Sequence, residues 1–217
     1  MGLSHSPRII TDGMVLCLDA ANPKSYPGSG TTWTDLSGNG NNATLTNGPT
    51  YSSANGGSIV FDGVNDTVSI PASANQAMGT GDCTFEWWAK TSDSVGGYAL
   101  SASDFLNITH SGGTLYYQGS FGNTTMAFAN TTHYNGSWHH HAITRISGTV
   151  KWYIDTVQVG TGTDSLTYTN NNPILLMQGF FGFTAGNMAV WKMYKGKGLT
   201  AAQVTQNFNA LRGRYGI

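Results

Sequence analysis

Trp138-His-His-His-Ala-Ile-Thr-Arg-Ile146, then Ser147-Gly148, then Thr149-Val-Lys-Trp-Tyr-Ile-Asp-Thr-Val-Gln-Val159 reads as two strands joined by a two-residue turn. Ser-Gly suits that turn, because a tight hairpin needs positive φ at its central positions. In the second arm Trp152, Ile154, Thr156 and Gln158 face one way, and Tyr153, Asp155, Val157 and Val159 the other. Polar residues on one face of a strand fit an antiparallel sheet with a solvated side.

The same texture recurs outward from this hairpin. Strand-like stretches occupy 14–20, 58–62, 67–70, 83–91, 98–102, 105–109, 114–118, 124–129, 174–178 and 187–194, separated by Gly, Asn, Ser and Pro. Short strands at this spacing predict an all-β sandwich or barrel. One segment departs from the pattern. Thr200-Ala-Ala-Gln203 is a capping box, and Val204, Phe208 and Leu211 then form one apolar stripe, so a short C-terminal helix is predicted, with Gly213 at its C′ position.

Composition agrees. A chain of 217 residues with 29 glycines, 12% aromatic and 10% charged residues suits one large β domain and is too aromatic for disorder. The formal net charge is −1, and no basic cluster occurs outside Arg212 to Arg214, which argues against a nucleic-acid partner. Cys17 and Cys83 sit in apolar runs, as buried free thiols or as a disulfide between neighbouring strands. The first ten residues lack the charged n-region and apolar core of a signal peptide, and no apolar run is long enough to span a membrane. Gly2 with Ser6 matches the short myristoylation pattern, against which Pro7 counts.

The pieces GMVLCLDAANPKSYPGSGTTW, DLSGNGNNATLTNG, SIVFDGVNDTVSIP, CTFEWWAKT, SWHHHAITRISGTVKWYIDTVQVG and GNMAVWKMYKGKGLT, followed by the terminal AAQVTQNFNALRGRYG, resemble in their order the LamG-like jellyroll family of the concanavalin A-like lectin/glucanase superfamily. The resemblance implies an antiparallel two-sheet jellyroll sandwich with a short C-terminal helix. The domain would span 12–217 behind a leader of residues 1–11. One departure is Asp155-Thr156, where such domains usually carry Asn-Gly, which puts the tightness of that hairpin in doubt. The leader and opening most resemble virion proteins of tailed bacteriophages. That implies a non-enzymatic head decoration or tail-fibre component, made in the host cytoplasm and displayed on the particle; a free-standing carbohydrate-binding lectin-like module is the alternative reading, and a glycoside hydrolase a second one. Its partners would be other virion subunits and a host-surface glycan, and it would form a homo-oligomer or join a symmetric assembly. The leader and the terminal helix would be contact elements, with the leader ordering only against a partner.

Three candidate sites follow. Asp35, Ser37 and Asn39 at alternate positions, with Gly40 next, echo the front half of a Ca2+ loop, but Thr46 stands where a bidentate Glu is needed; a tight turn and a weak Ca2+ site both remain open. His139 and His141 share a strand face, and a metal there would need a third ligand from His133 or His110; half-buried strand histidines are the other reading. Glycan binding requires exposed rings, for which Trp33, Tyr98, Tyr117 and Trp152, with Tyr116, Tyr134 and Tyr168, are candidates, whereas Trp87, Trp138 and Trp191 are assigned to the core. Catalysis lacks its residues. Retaining glycosidases hold two carboxyls about 5–5.5 Å apart, but Glu86 is the one glutamate, Trp88 follows two positions on, and Asp82 lies about 13 Å away along an extended strand.

Overall fold

Ser147 and Gly148 turn the chain at φ 48° and 77°. The arms they join pair antiparallel, with Ile146 opposite Thr149 and His141 opposite Ile154. The second arm is shorter than its alternation suggests. Asp155 (φ 47°) and Thr156 (φ 76°) make another two-residue turn, and Ile154 then pairs with Val157. Absence of Asn-Gly does not loosen this hairpin. Asp155 tolerates the left-handed region because its carboxylate is engaged, Oδ1 accepting from His140 N at 2.8 Å and Oδ2 meeting His139 Nδ1 at 2.6 Å.

The computed structural model describes residues 7–101, 106–120, 123–130, 132–169 and 171–217. Its first strands are β1 (Met14–Asp19), β2 (Thr32–Trp33), β3 (Ala43–Thr46), β4 (Thr50–Ser52), β5 (Ser58–Asp62), β6 (Thr67–Ile70), β7 (Cys83–Lys90), β8 (Val95–Ser101) and β9 (Leu106–Ser111). There follow β10 (Thr114–Ser120), β11 (Asn123–Ala129), β12 (His139–Ile146), β13 (Thr149–Ile154), β14 (Val157–Thr163), β15 (Ile174–Leu176), β16 (Gln178–Gly179), β17 (Gly182–Phe183) and β18 (Ala185–Lys195). Helix α1 spans Ala201–Leu211. One sheet runs β14-β13-β12-β7-β18-β5-β4, with β1 also paired to β18; the second runs β11-β10-β9-β8-β15-β6-β3-β2. The short strands β2, β3, β4, β16 and β17 escape the sequence pattern because two to four residues carry no measurable alternation.

Two antiparallel sheets packed face to face form the predicted jellyroll sandwich. On β7, Phe85 and Trp87 enter the core between the sheets, while Glu86 and Trp88 face outward, beneath α1. Trp87 is the centre of that core, stacked on His141 at 4.8 Å and packed against Trp191 at 5.5 Å and Trp152 at 5.8 Å. Burying one large apolar side chain contributes roughly 1.5–3 kcal/mol, so such a cluster needs no covalent staple between the sheets. Cys17 and Cys83 are indeed free and buried, and burial pushes their thiols up to about 11 and about 12.

The helix begins as predicted: Thr200 Oγ1 accepts from Gln203 N, and Gln203 Oε1 accepts from Thr200 N. Val204, Phe208 and Leu211 are buried against the outer face of the first sheet. Its end differs from the expectation. The last turn tightens through Arg212–Arg214, and Gly213 has no positive φ. Part of the leader docks here too. Ile10 N donates to Asn207 Oδ1, Ile10 O accepts from Tyr194 Oη, and Arg8 O accepts from Gln206 Nε2. Arg8 and Ile10 are therefore bonded to the chain's own helix and to β18; Gly2 and Ser6 lie outside the described residues. No described helix is long and apolar enough to cross a membrane.

Candidate functional site

Four aromatic residues assigned to sugar contact are core residues. Trp33, Tyr98, Tyr117 and Trp152 are fully buried, and so is Tyr168. Their alternation was ambiguous because both sheets bury their inner faces and hairpins and the helix cover parts of the outer ones. Tyr117 and Tyr168 carry their hydroxyls into the core to reach Asp164, which also meets Arg145 Nη1 at 3.4 Å. Trp152 Nε1 donates to His141 Nδ1 at 3.3 Å. Trp87, Trp138 and Trp191 are buried as expected.

Tyr116 differs, because it lies on the opposite face of β10 from Leu115 and Tyr117. The hairpin β16–β17 lies over β8 and β9 on this outer face. It approaches so closely that a Cβ on Gly97 would stand 2.3 Å from Gly179 Cα, which only paired glycines permit. Thr184 Oγ1 fastens the hairpin by accepting from Gly97 N at 2.7 Å and donating to Gly97 O at 2.9 Å. Asn107 Oδ1 accepts from Phe180 N at 3.3 Å, and its Nδ2 donates to Gln118 Oε1 at 2.5 Å. The hairpin tip thus leaves Phe180 57% and Phe181 45% exposed. Phe181 lies 5.9 Å from Tyr116 and 5.5 Å from Phe180, centroid to centroid. Three rings beside two side-chain amides offer apolar faces and hydrogen-bonding groups on one surface. The Gly-Phe-Phe-Gly run at 179–182 was the signal available in the sequence.

The Asp35 loop is a pinned turn. Asp35 Oδ1 accepts from Cys17 N and Ser37 N at 2.9 and 2.8 Å, and Oδ2 accepts from Ser37 Oγ and Asn41 N at 2.7 and 3.1 Å. Val15 O, at the β1 bulge, accepts from Ser37 Oγ, Asn39 Nδ2 and Asn41 Nδ2. The carboxylate is surrounded by donors, whereas a cation needs converging acceptors.

The three consecutive histidines part company. His139 pairs with Asp155 and Asn135. His140 faces the helix, its Nε2 2.6 Å from Glu86 Oε1. His141 points into the core, where His133 lies 6.3 Å away and His110 5.1 Å beyond that, with the Tyr98 ring among them. The structure therefore brings His133 and His110 to His141 and leaves His139 out. No group of His, Cys, Asp or Glu among the described residues stands in a metal-holding arrangement. Burial first, then neighbouring imidazoles, lowers the pKa of His133 to about 3 and of His141 well below its usual value; burial lowers His110 to about 4. All three rings are neutral core residues at neutral pH.

Glu86 is fully buried beneath α1. Burial by itself would raise its pKa, but Lys192 and His140, with Asn207, outweigh that and hold it at about 2. A carboxylate so enclosed has no route to a substrate.

A family model described as the concanavalin A-like lectin/glucanases superfamily matches residues 62–205. The chain belongs to this superfamily. No curated protein sequence matches it. Among solved structures, the binding domain of Paraclostridial Mosquitocidal Protein 1 superposes with a TM-score of 0.75 at 16% identity, over 92% of this chain and 52% of that one. The Botulinum neurotoxin serotype D ligand binding domain, in complex with N-acetylneuraminic acid, gives 0.71 at 14% identity, over 92% and 51%. Domain 4 of AbnA, a GH43 extracellular arabinanase from Geobacillus stearothermophilus, in complex with arabinotriose, gives 0.61 at 20% identity, over 89% and 97%. The chain spans about half the length of the two toxin domains and nearly all of the arabinanase domain. At these identities the shared feature is the lectin-like fold. Within it, this concanavalin A-like domain sets its one glutamate under a helix and its exposed rings on the opposite sheet.

Proposed function

We propose that this domain is a non-catalytic carbohydrate-binding module, and that Tyr116, Phe180, Phe181, Asn107 and Gln118 form its sugar-contacting surface. One observation carries the reading: two phenyl rings are held in solvent beside a tyrosine and a pair of amides by a hairpin stapled to the sheet. Clustered exposed rings forfeit burial energy, so their fixed placement favours a ligand with an apolar face, such as a pyranose or furanose ring. The complexes of fold relatives with N-acetylneuraminic acid and arabinotriose support the ligand class. The enclosure of Glu86 supports binding without turnover.

The setting we propose is the surface of a bacteriophage particle, on the resemblance of the opening residues. The same exposed rings would then serve contact with a host-surface glycan, while other surfaces meet neighbouring virion subunits. A glycan array followed by calorimetry on the best ligand tests the binding. Expected is selective binding that falls at least tenfold in Tyr116→Ala and in Phe181→Ala, about 1.4 kcal/mol. Equal binding by both variants, or none by the parent, overturns it. Locating the chain in images of purified particles tests the setting.

A further inference from the structure

Lys192 on β18, Asn207 on α1 and Glu86 on β7 meet in the buried layer between the first sheet and the helix. All three are buried to 1% exposure or less. Lys192 Nζ lies 3.5 Å from Glu86 Oε2 and makes no hydrogen bond among the described residues. Asn207 Nδ2 donates to that same Oε2 at 2.8 Å and to Tyr194 Oη at 3.0 Å. Asn207 Oδ1 accepts from Ile10 N at 2.7 Å, which fixes the orientation of the amide and draws electron density toward its oxygen. A buried ammonium without hydrogen bonds is costly, and Glu86 Oε2, 3.5 Å from it, is the acceptor placed to relay its proton as the amine attacks.

From this placement we infer that the domain forms an intramolecular isopeptide bond between Lys192 and Asn207. Glu86 takes a proton from the Lys192 ammonium, and the neutral amine attacks Asn207 Cγ. Ile10 N–H stabilises the developing oxyanion, as preorganised backbone donors do. The Nζ–Cγ bond forms and the Cγ–Nδ2 bond breaks. Glu86 returns its proton to the departing nitrogen and receives the one released by the new amide. Ammonia leaves and takes up that last proton as ammonium, which restores the Glu86 carboxylate. No oxidant or co-reactant is needed. Holding nucleophile and electrophile on one carboxylate oxygen supplies the proximity that makes an otherwise slow aminolysis feasible. The product would tie the terminal helix covalently to the sheet it covers.

Intact mass spectrometry of the denatured full chain after prolonged incubation tests this. The expected mass is lower than the sequence mass by one ammonia. A tryptic digest should contain a branched species joining 152–195, uncleaved at Lys192, to 198–212. Lys192→Met, which keeps an apolar stem in the same space, and Asn207→Ala should each restore the full mass, as should Glu86→Gln. A parent chain at its full sequence mass overturns the inference. So does an ammonia loss that maps anywhere other than between Lys192 and Asn207.

Discussion

The two outer faces of the sandwich are treated in opposite ways. On the first sheet, α1 and residues 8–10 cover Glu86, His140, Lys192 and Tyr194, and the polar groups there are spent on one another. On the second sheet, the covering hairpin lies over β8 and β9, and its tip turns rings outward beside Tyr116 on β10. One face therefore consumes polar chemistry to hold an element in place, and the other exposes apolar surface that the fold does not need. The proposed sugar binding belongs with the second, because burial excludes a ligand from the groups of the first. Substitutions should separate the faces: those under the helix cost stability, and those at the hairpin tip cost binding.

The largest effect is expected under the helix. Glu86→Ala, which also removes the proton relay for the Lys192–Asn207 bond, leaves Lys192 buried as an ammonium without a countercharge and strands the Asn207 and Tyr194 hydrogen bonds, a loss on the order of 3–5 kcal/mol in denaturant unfolding. If Glu86→Ala unfolds with the parent, the first face is not the structural one.

Acid should act next, through the core between the faces. His110 meets Asp93 O, and burial outweighs the help that Asp93 gives a charged ring; His133 meets Asn130 Oδ1 and packs on Tyr134, and His141 lies against Trp87 and Tyr98. Unfolded imidazoles take up protons below about 6.5, whereas folded His110 does so only near 4 and His133 near 3. Stability is therefore complete above pH 6.5 and is lost as pH falls toward 4, by on the order of 3 kcal/mol for His110 alone. Glu86 adds a further loss between its ordinary 4.5 and about 2. Denaturant midpoints measured from pH 8 to pH 4 check this. His110→Phe, which cannot protonate, should flatten the profile.

How far the sequence foretells these faces depends on what surrounds each strand. The central hairpin, the capping box and the terminal stripe were legible because each is set by residues adjacent in sequence. The proposed sugar site was not. Alternation separates Tyr116 from Tyr117 but says nothing about which side a second sheet will cover, and a hairpin of two-residue strands leaves no period to read. Glu86 was legible as an unlikely catalyst and illegible as the anchor of the helix, since Lys192, Asn207 and Ile10 converge on it from three separate elements.

Tyr116→Ala and Phe181→Ala sharpen the contrast from the other side. Phe181→Ala should shift unfolding by no more than about 0.5–1 kcal/mol, because its ring is 45% exposed, and Tyr116→Ala, whose ring is half-buried, by somewhat more, while sugar binding falls at least tenfold in both. A stability loss comparable to that of Glu86→Ala would make the hairpin tip a packing element, and the two faces would be alike.

The Asp35 loop gives the smallest expected response. Its carboxylate already accepts four hydrogen bonds from N–H and O–H donors, three of them the amides of Cys17, Ser37 and Asn41, so the charge is neutralised by donors. Calcium would have to displace those donors and leave buried amides unpaired, at about 1–3 kcal/mol each, with one carboxylate to offset the cost. Millimolar calcium should therefore leave the melting temperature where it is, whereas Asp35→Ala should lower it by removing the acceptor from the Cys17, Ser37 and Asn41 amides. A calcium-dependent rise in the parent that vanishes in Asp35→Asn would instead make this loop a ligand site, and binding would not be confined to the second face.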